Sequence, residues 1–448
     1  MKSISLRLTA LLLVALLLCG CTPATNASKD GTTLNGISLQ DFTIIYDEKA
    51  PDYNQRAASF IQQEIKSRTG IELNVSTVSQ NVNPHEIVVG ETSRPISKKL
   101  DAQTEDVQFA ILADDNHIAM EGDYFIIAAA AYFFVNTYIT GKTFDSSVPK
   151  KISIHAPIQE DTKNVIFLIG DGMGPNHVLM PEYMVPSEDM TSHDNESIFY
   201  GKYLPYQGQL RTNSLDGTTD SAAGATALAC GIKTHNGYVG KDENLNDVLS
   251  LTELANSKGM ATAVMSTDQY NGATPAGFSA HANDRNDTKE ILESQTAVEE
   301  KGTTLLCGLD YSTAAETEIT TVLDGLGQSE NGFFIMYEEG HIDKHSHSNL
   351  PEETYGAVLR FNQAIGIFME YAFYHPGTLV LITADHETGG LSFDQSGLPM
   401  FSSTNHTSAN VPIYAYGKGA EVFEDYNEEN NEVPKVIAKL WGEENFGG

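Results

Sequence analysis

Asn164-Val165-Ile166-Phe167-Leu168-Ile169-Gly170-Asp171-Gly172-Met173-Gly174 is an unbroken apolar run that ends in a carboxylate held between glycines. An apolar run without alternation fits a strand buried on both faces, and the glycines fit a tight turn after it. Comparable runs recur at 261–266, 333–337, 379–383 and 413–416. Helical patterns fit between them at 245–258, 352–374 and 433–441. This order predicts an α/β fold over 164–448, a mainly parallel sheet sandwiched by helices. In such sheets the ligand site lies beyond the carboxyl ends of the strands.

The polar clusters of the chain fall at those ends. Gly170-Asp171-Gly172 follows the first run, Glu338-Glu339-Gly340-His341-Ile342-Asp343-Lys344-His345-Ser346-His347 the third, and Ala384-Asp385-His386 the fourth. His406 precedes the last. One Asp-His pair by itself is commonly a surface turn, but four clusters at one sheet edge point to a metal centre. Mixed Asp and His donors suit zinc, whereas an all-oxygen set suits magnesium.

Between these clusters lies Thr218-Thr219-Asp220-Ser221-Ala222-Ala223-Gly224-Ala225-Thr226-Ala227. Thr and Asp leading into small, helix-compatible residues read as a helix N-terminus with Ser221 on its first turn. Unpaired N–H groups there favour an anion, so the hydroxyl could attack a phosphoryl or acyl centre, with the small residues leaving room for a substrate. The same stretch also fits an ordinary capped helix whose small face packs closely on a sheet.

As an ordered set these stretches, with Ala273-Thr274-Pro275-Ala276, Ile342-Asp343-Lys344 with His347, and His406-Thr407, resemble the alkaline phosphatase family from Asn164 to the end of the chain. The resemblance implies hydrolysis of phosphate monoesters through a phosphoserine on Ser221, with an alkaline pH optimum. It also implies two zinc ions and one magnesium. Asp343, His347 and His406 would hold one zinc; Asp171, Asp385 and His386 the other, with Ser221 at its open position. Asp171 would bridge to a magnesium completed by Thr274 and Glu338. Arg285, four residues beyond His281, matches the arginine that grips phosphate oxygens, and Lys344 a lysine that reaches phosphate through water. Two metals about 4 Å apart can clamp the entering and leaving oxygens of an in-line displacement.

There are departures from the family pattern. Gly272 stands where many relatives carry an acidic or histidine side chain near the magnesium. His341 and His345 lie between ligand positions and are expected to be outer neighbours or exposed. The intervals 274–338 and 386–406 are short where relatives build a dimer interface, so a homodimer stays an open question. A phosphodiesterase or sulfatase on the same scaffold is disfavoured by Ser221 with Arg285 and by the absence of a sulfatase motif. An inactive surface-binding lipoprotein is disfavoured by the complete ligand set.

Ahead of this part, 39–157 reads as a small α/β domain, with strands at 42–46, 71–75, 86–90, 109–113 and 117–121 and helices at 55–68 and 125–138. Ala57, Phe60, Ile61 and Ile65 share a helix face expected in the core. Its element order resembles that of the small domain preceding the catalytic domain in some secreted glycosidases.

Residues 1–20, basic at Lys2 and Arg7 and then apolar, have the shape of a secretory leader too short to span a bilayer. Leu18-Cys19-Gly20-Cys21 resembles a bacterial lipobox, which implies lipid on Cys21, a tether over 21–38 and export to the outer face of the cell membrane. The formal charge of −33 offers no basic stripe for nucleic acid and makes local cations necessary at any anion site. Of the 4 cysteines, Cys230 and Cys307 remain as expected buried thiols rather than a bridge.

Overall fold

The computed structural model describes residues 33–79, 81–101, 107–139, 150–156, 158, 160–184, 198–309 and 313–448. The expected leader, Cys21 and most of the tether lie outside these residues. Residues 33–38, assigned to the tether from sequence, instead form an antiparallel hairpin of Thr33–Leu34 with Ile37–Ser38 that buries Leu34.

The larger sheet has eight strands in the order Thr304–Leu306, Ala261–Ser266, Phe333–Glu339, Asn164–Gly170, Thr378–Thr383, Val411–Tyr416, Tyr206–Arg211 and Asn427–Glu429. All are parallel except Val411–Tyr416, which opposes both neighbours. The register is what builds the site. Glu338 pairs with Ile169, Ile169 with Thr383, and Ser266 with Glu338, so the central strands end on one line. The residues just past that line are Asp171, Asp385 and Asp268. His406 reaches the same edge from the opposite direction, because the strand it precedes is the reversed one.

Element boundaries differ from the sequence reading where local polar groups intervene. The helix expected at 245–258 begins only at Leu251. Asp242 accepts backbone N–H bonds from Asn244 and Asn246 at 2.8 Å each, an Asx turn that stops helix formation there. Ser250 and Glu253 then form a complete capping box, which starts the helix. The polar strand Tyr206–Arg211, second from the edge, was not foreseen, since it lacks an apolar run.

The front part forms a six-stranded sheet, Asn74–Thr77, Thr43–Tyr46, Glu86–Val89, His117–Glu121, Gln108–Ala113 and Lys150–Ser153, in which only Gln108–Ala113 is reversed. The strand expected at 71–75 lies at Asn74–Thr77, because the chain leaves its helix at Gly70 (φ 73°) and uses three residues to cross to the sheet. One hydrophobic core runs continuously through both sheets. Phe125 stacks on Phe373 and Phe60 on Tyr374, with centroids 5.8 and 3.9 Å apart. Phe60 packs against the core as expected and also reaches the second part. Arg56 donates to Glu370 and Glu316, each at 2.7 Å. Both partners are carried by helices of the larger unit, Pro351–Tyr374 and Thr313–Leu326.

Cys230 and Cys307 are unbridged; burial drives the Cys230 thiol far above its ordinary pKa, whereas Cys307 is only half-buried. Among the described residues no helix is long and apolar enough to cross a membrane.

Candidate active site

Ser221 opens the helix Ser221–Cys230, and all ten of its residues are buried. Asp220 caps it, accepting from Ala223 N at 3.0 Å. The small residues serve close packing rather than an open space. A Cβ on Gly224 would lie 3.0 Å from the Asp385 carbonyl oxygen, and one on Gly277 would lie 2.7 Å from Ala225 Cβ. Close approach brings the Ser221 hydroxyl within 3.2 Å of His386 Nε2.

The Asp220 carboxylate does more than cap. Its Oδ2 accepts from Gly237 N at 3.0 Å and from Arg285 Nη1 at 3.1 Å. Arg285 is thus held beside the nucleophile candidate by the residue preceding it.

Two donor sets converge here, Asp343 with His347 and His406, and Asp171 with Asp385 and His386; the donor atoms of each set lie within 4.8 Å of one another. His347 Nδ1 faces the Thr404 carbonyl at 2.7 Å and His406 Nδ1 the Thr219 carbonyl at 2.8 Å. A carbonyl only accepts, so both Nδ1 atoms carry a proton, and in the neutral ring each Nε2 then offers a lone pair. Those lone pairs face each other at 3.1 Å, with Asp343 Oδ1 at 3.3 Å from one and 3.6 Å from the other. Such a cluster is held together by a shared proton or by a cation, and it offers a divalent ion three converging donor atoms.

The second set is buried more deeply. Among the described residues, Asp171 Oδ1 and Asp385 Oδ2 are buried without a hydrogen-bond partner, and Thr274 is buried beside Glu338. Burial first, and then the neighbouring carboxylates, push Asp171 and Asp385 well above the usual carboxylate range. Burial pushes Glu338 up to about 7 and, with His406 beside it, holds His386 well below the ordinary histidine value. Mutually raised acids and neutral imidazoles are the donor chemistry of divalent ions, so these residues fit the cations that the sequence implies.

Asp268, which sequence reasoning overlooked, stands beside Glu338. A Cβ on Gly272 would lie 3.4 Å from Asp268 Oδ2, so the Asp268 carboxylate fills the space beside Gly272. Its signal was present: a carboxylate just past a buried strand, as at Asp171 and Asp385. Lys344 Nζ pairs with Asp268 Oδ1 at 2.5 Å, so the lysine is engaged at this carboxylate. His341 Nδ1 lies 3.1 Å from Thr267 Oγ1 and 3.3 Å from Glu339 Oε1, outside both donor sets.

A family model described as alkaline phosphatase matches residues 162–308 and 310–401, more than half of the chain. Alkaline phosphatase 4 of Bacillus subtilis is 30% identical over 308 residues, covering 55% of this chain and 66% of its own length. Alkaline phosphatase 3 of the same organism is 28% identical, with 54% and 64% covered, so the match spans just under two thirds of these relatives. The solved alkaline phosphatase of the Antarctic bacterium TAB5 superposes with a TM-score of 0.55 at 27% identity, covering 63% of this chain and 98% of that one. A variant of that enzyme was solved with magnesium bound. With Ser221, Arg285 and the two donor sets gathered at one sheet edge, the chain belongs to the alkaline phosphatase family.

Proposed function

We propose that this chain hydrolyses phosphate monoesters through a phosphoserine on Ser221. The observation that carries the reading is the Ser221 hydroxyl, on the first turn of a buried helix, lying 3.2 Å from His386 in one donor set and beside an arginine anchored on Asp220. Asp343, His347 and His406 would hold one zinc, Asp171, Asp385 and His386 the second, and Asp171, Thr274 and Glu338 a magnesium, with Asp268 and Lys344 beside it. When bound, these cations supply the positive charge that attracts a dianion, acidify the hydroxyl and stabilise the leaving oxygen.

The chain's own groups do the rest. Ser221 Oγ attacks phosphorus and the ester P–O bond breaks, releasing the alcohol; water then breaks the P–Oγ bond and frees phosphate. Arg285 is suited to two parallel hydrogen bonds with the equatorial oxygens. His386, kept neutral by burial, presents Nε2 as a donor atom and not as a cation that would repel a metal. The helix N-terminus adds backbone N–H groups toward the same anion.

The test is turnover of p-nitrophenyl phosphate against bis(p-nitrophenyl) phosphate, with metal content measured on the same sample. Preference for the monoester, with about two zinc-like ions per chain, supports the reading; equal or better turnover of the diester overturns it. Export with a lipid on Cys21 belongs to the same proposal, and Cys21→Ser should release the protein from membranes.

A further inference from the structure

Arg285 is carried by neither a helix nor a strand. It ends the stretch 280–285 between the helices Ala273–Ser279 and Thr288–Glu299. That stretch is tied to residues 237–240: Val239 and Ala282 exchange both backbone hydrogen bonds, at 3.0 and 2.9 Å, and Arg285 N donates to the Gly237 carbonyl at 2.8 Å. Gly237 N in turn donates to Asp220 Oδ2 at 3.0 Å, so one end of the pairing is anchored on the Ser221 helix.

The other end is anchored by His281. Its Nδ1 lies 2.8 Å from the Gly240 carbonyl and its Nε2 3.2 Å from Glu253 Oε2, while its backbone N donates to Ser294 Oγ at 2.9 Å. Both ring nitrogens face acceptors, which only the imidazolium satisfies. The fit is close: Gly240 has φ +60°, and a Cβ there would lie 2.6 Å from His281 Nδ1. Glu253 is itself fixed by the capping box with Ser250. Asp247, paired with Lys241, adds negative charge toward the same ring. Burial opposes both charges, yet the pair holds Glu253 down to about 2 and His281 above the ordinary histidine value.

We propose that His281 is a positioning residue for phosphate binding, locking 280–285 against 237–240 so that Arg285 meets the phosphoryl oxygens. The proposal rests on the phosphatase reading. Its physical basis is that a misplacement of about 1 Å in a gripping group costs on the order of 100-fold in rate. Among the described residues, this backbone pairing and the bond to Asp220 hold Arg285.

The experiment is a double-mutant cycle on the full, metal-loaded chain with His281→Gln, Arg285→Ala and both together. It reads the inhibition constant of inorganic phosphate, its binding by calorimetry, and KM and kcat for p-nitrophenyl phosphate. His281→Gln should weaken phosphate binding about tenfold, the loss expected when a charge-assisted hydrogen bond fails. In the Arg285→Ala background the same change should add nothing. Unchanged phosphate affinity in His281→Gln, or an equal loss with and without Arg285, overturns the proposal. Should His281→Gln not fold, Glu253→Gln enters the same cycle with the same expected and overturning results. If the wild type binds phosphate without hydrolysing the ester, the phosphatase reading fails while the cycle still reads the lock by calorimetry. If it does not bind phosphate at all, both fail.

Discussion

His347 and His406 point their Nε2 atoms at one another across 3.1 Å, each with its Nδ1 proton committed to a backbone carbonyl. With Asp343 beside them, these two atoms form a ready donor set for a cation. Chelation should therefore abolish turnover and lower Tm by roughly 5 °C or more, since ligands that bind only the native state stabilise by mass action. The deficit should depend on pH. The acids of the second set have raised pKa values in the fold, so the stability their protonation gives the metal-free protein is present in acid. It is lost as pH rises through the value of about 7 at Glu338. A chelated protein whose Tm equals that of the loaded one across this range would refute the metal reading, and His406→Ala should retain fewer zinc ions by elemental analysis.

Ser221→Ala removes one hydroxyl from a helix whose cap stays intact. Turnover should fall at least about 1,000-fold while Tm changes by less than about 2 °C. The wild type quenched in acid during turnover should carry phosphate on Ser221 by mass spectrometry. A Ser221→Ala enzyme of near-normal rate would end the phosphoserine proposal.

Asp220 caps the helix through Oδ1 and anchors Gly237 and Arg285 through Oδ2, and Asp220→Asn separates the cap from the two anchors. Asparagine keeps the cap through Oδ1, but its amide cannot accept from Gly237 N, so stability should fall by about 1–3 kcal/mol. The charge that holds the guanidinium is lost, and KM should rise roughly three- to tenfold. A steady-state comparison checks this; an unaltered KM would mean that Arg285 needs no anchor.

Arg56 is a charged link between the two parts, and its partner Glu370 keeps 8% side-chain exposure. Arg56→Ala leaves that carboxylate buried without its cation, at a cost of about 1–3 kcal/mol. Burial, working against the Arg56 pairing, raises the Glu370 pKa in the fold. An acid with a raised folded pKa favours folding when protonated, so the deficit of Arg56→Ala should be larger at pH 8 than at pH 5. Urea unfolding at the two pH values measures it.

Much of the site was legible because its residues follow strands that read as buried. Asp171 and Asp385 sit immediately past apolar runs, and Ser221 past a helix entry with a capping aspartate. What escaped was carried by pairs distant in the chain. Asp268 meets Lys344 and stands under Gly272, and Asp220 meets Arg285, 65 residues away. No spacing rule announces such a meeting. The front part was legible as α/β, but not its shared core, since the stacking of Phe60 on Tyr374 joins faces that look separately amphipathic.

The amino-acid sequence by itself determined the α/β class, the buried strands, the cap before Ser221 and the chemical types that gather at the carboxyl edge. These are local properties, set by side-chain polarity and backbone preference within a few residues. Only the tertiary structure decided that Val411–Tyr416 runs against its neighbours. That reversal puts the residues before the strand, His406 among them, at the edge where the other strands end. The direction of a strand is a matter of pairing between distant segments, and polarity along one segment is the same read either way.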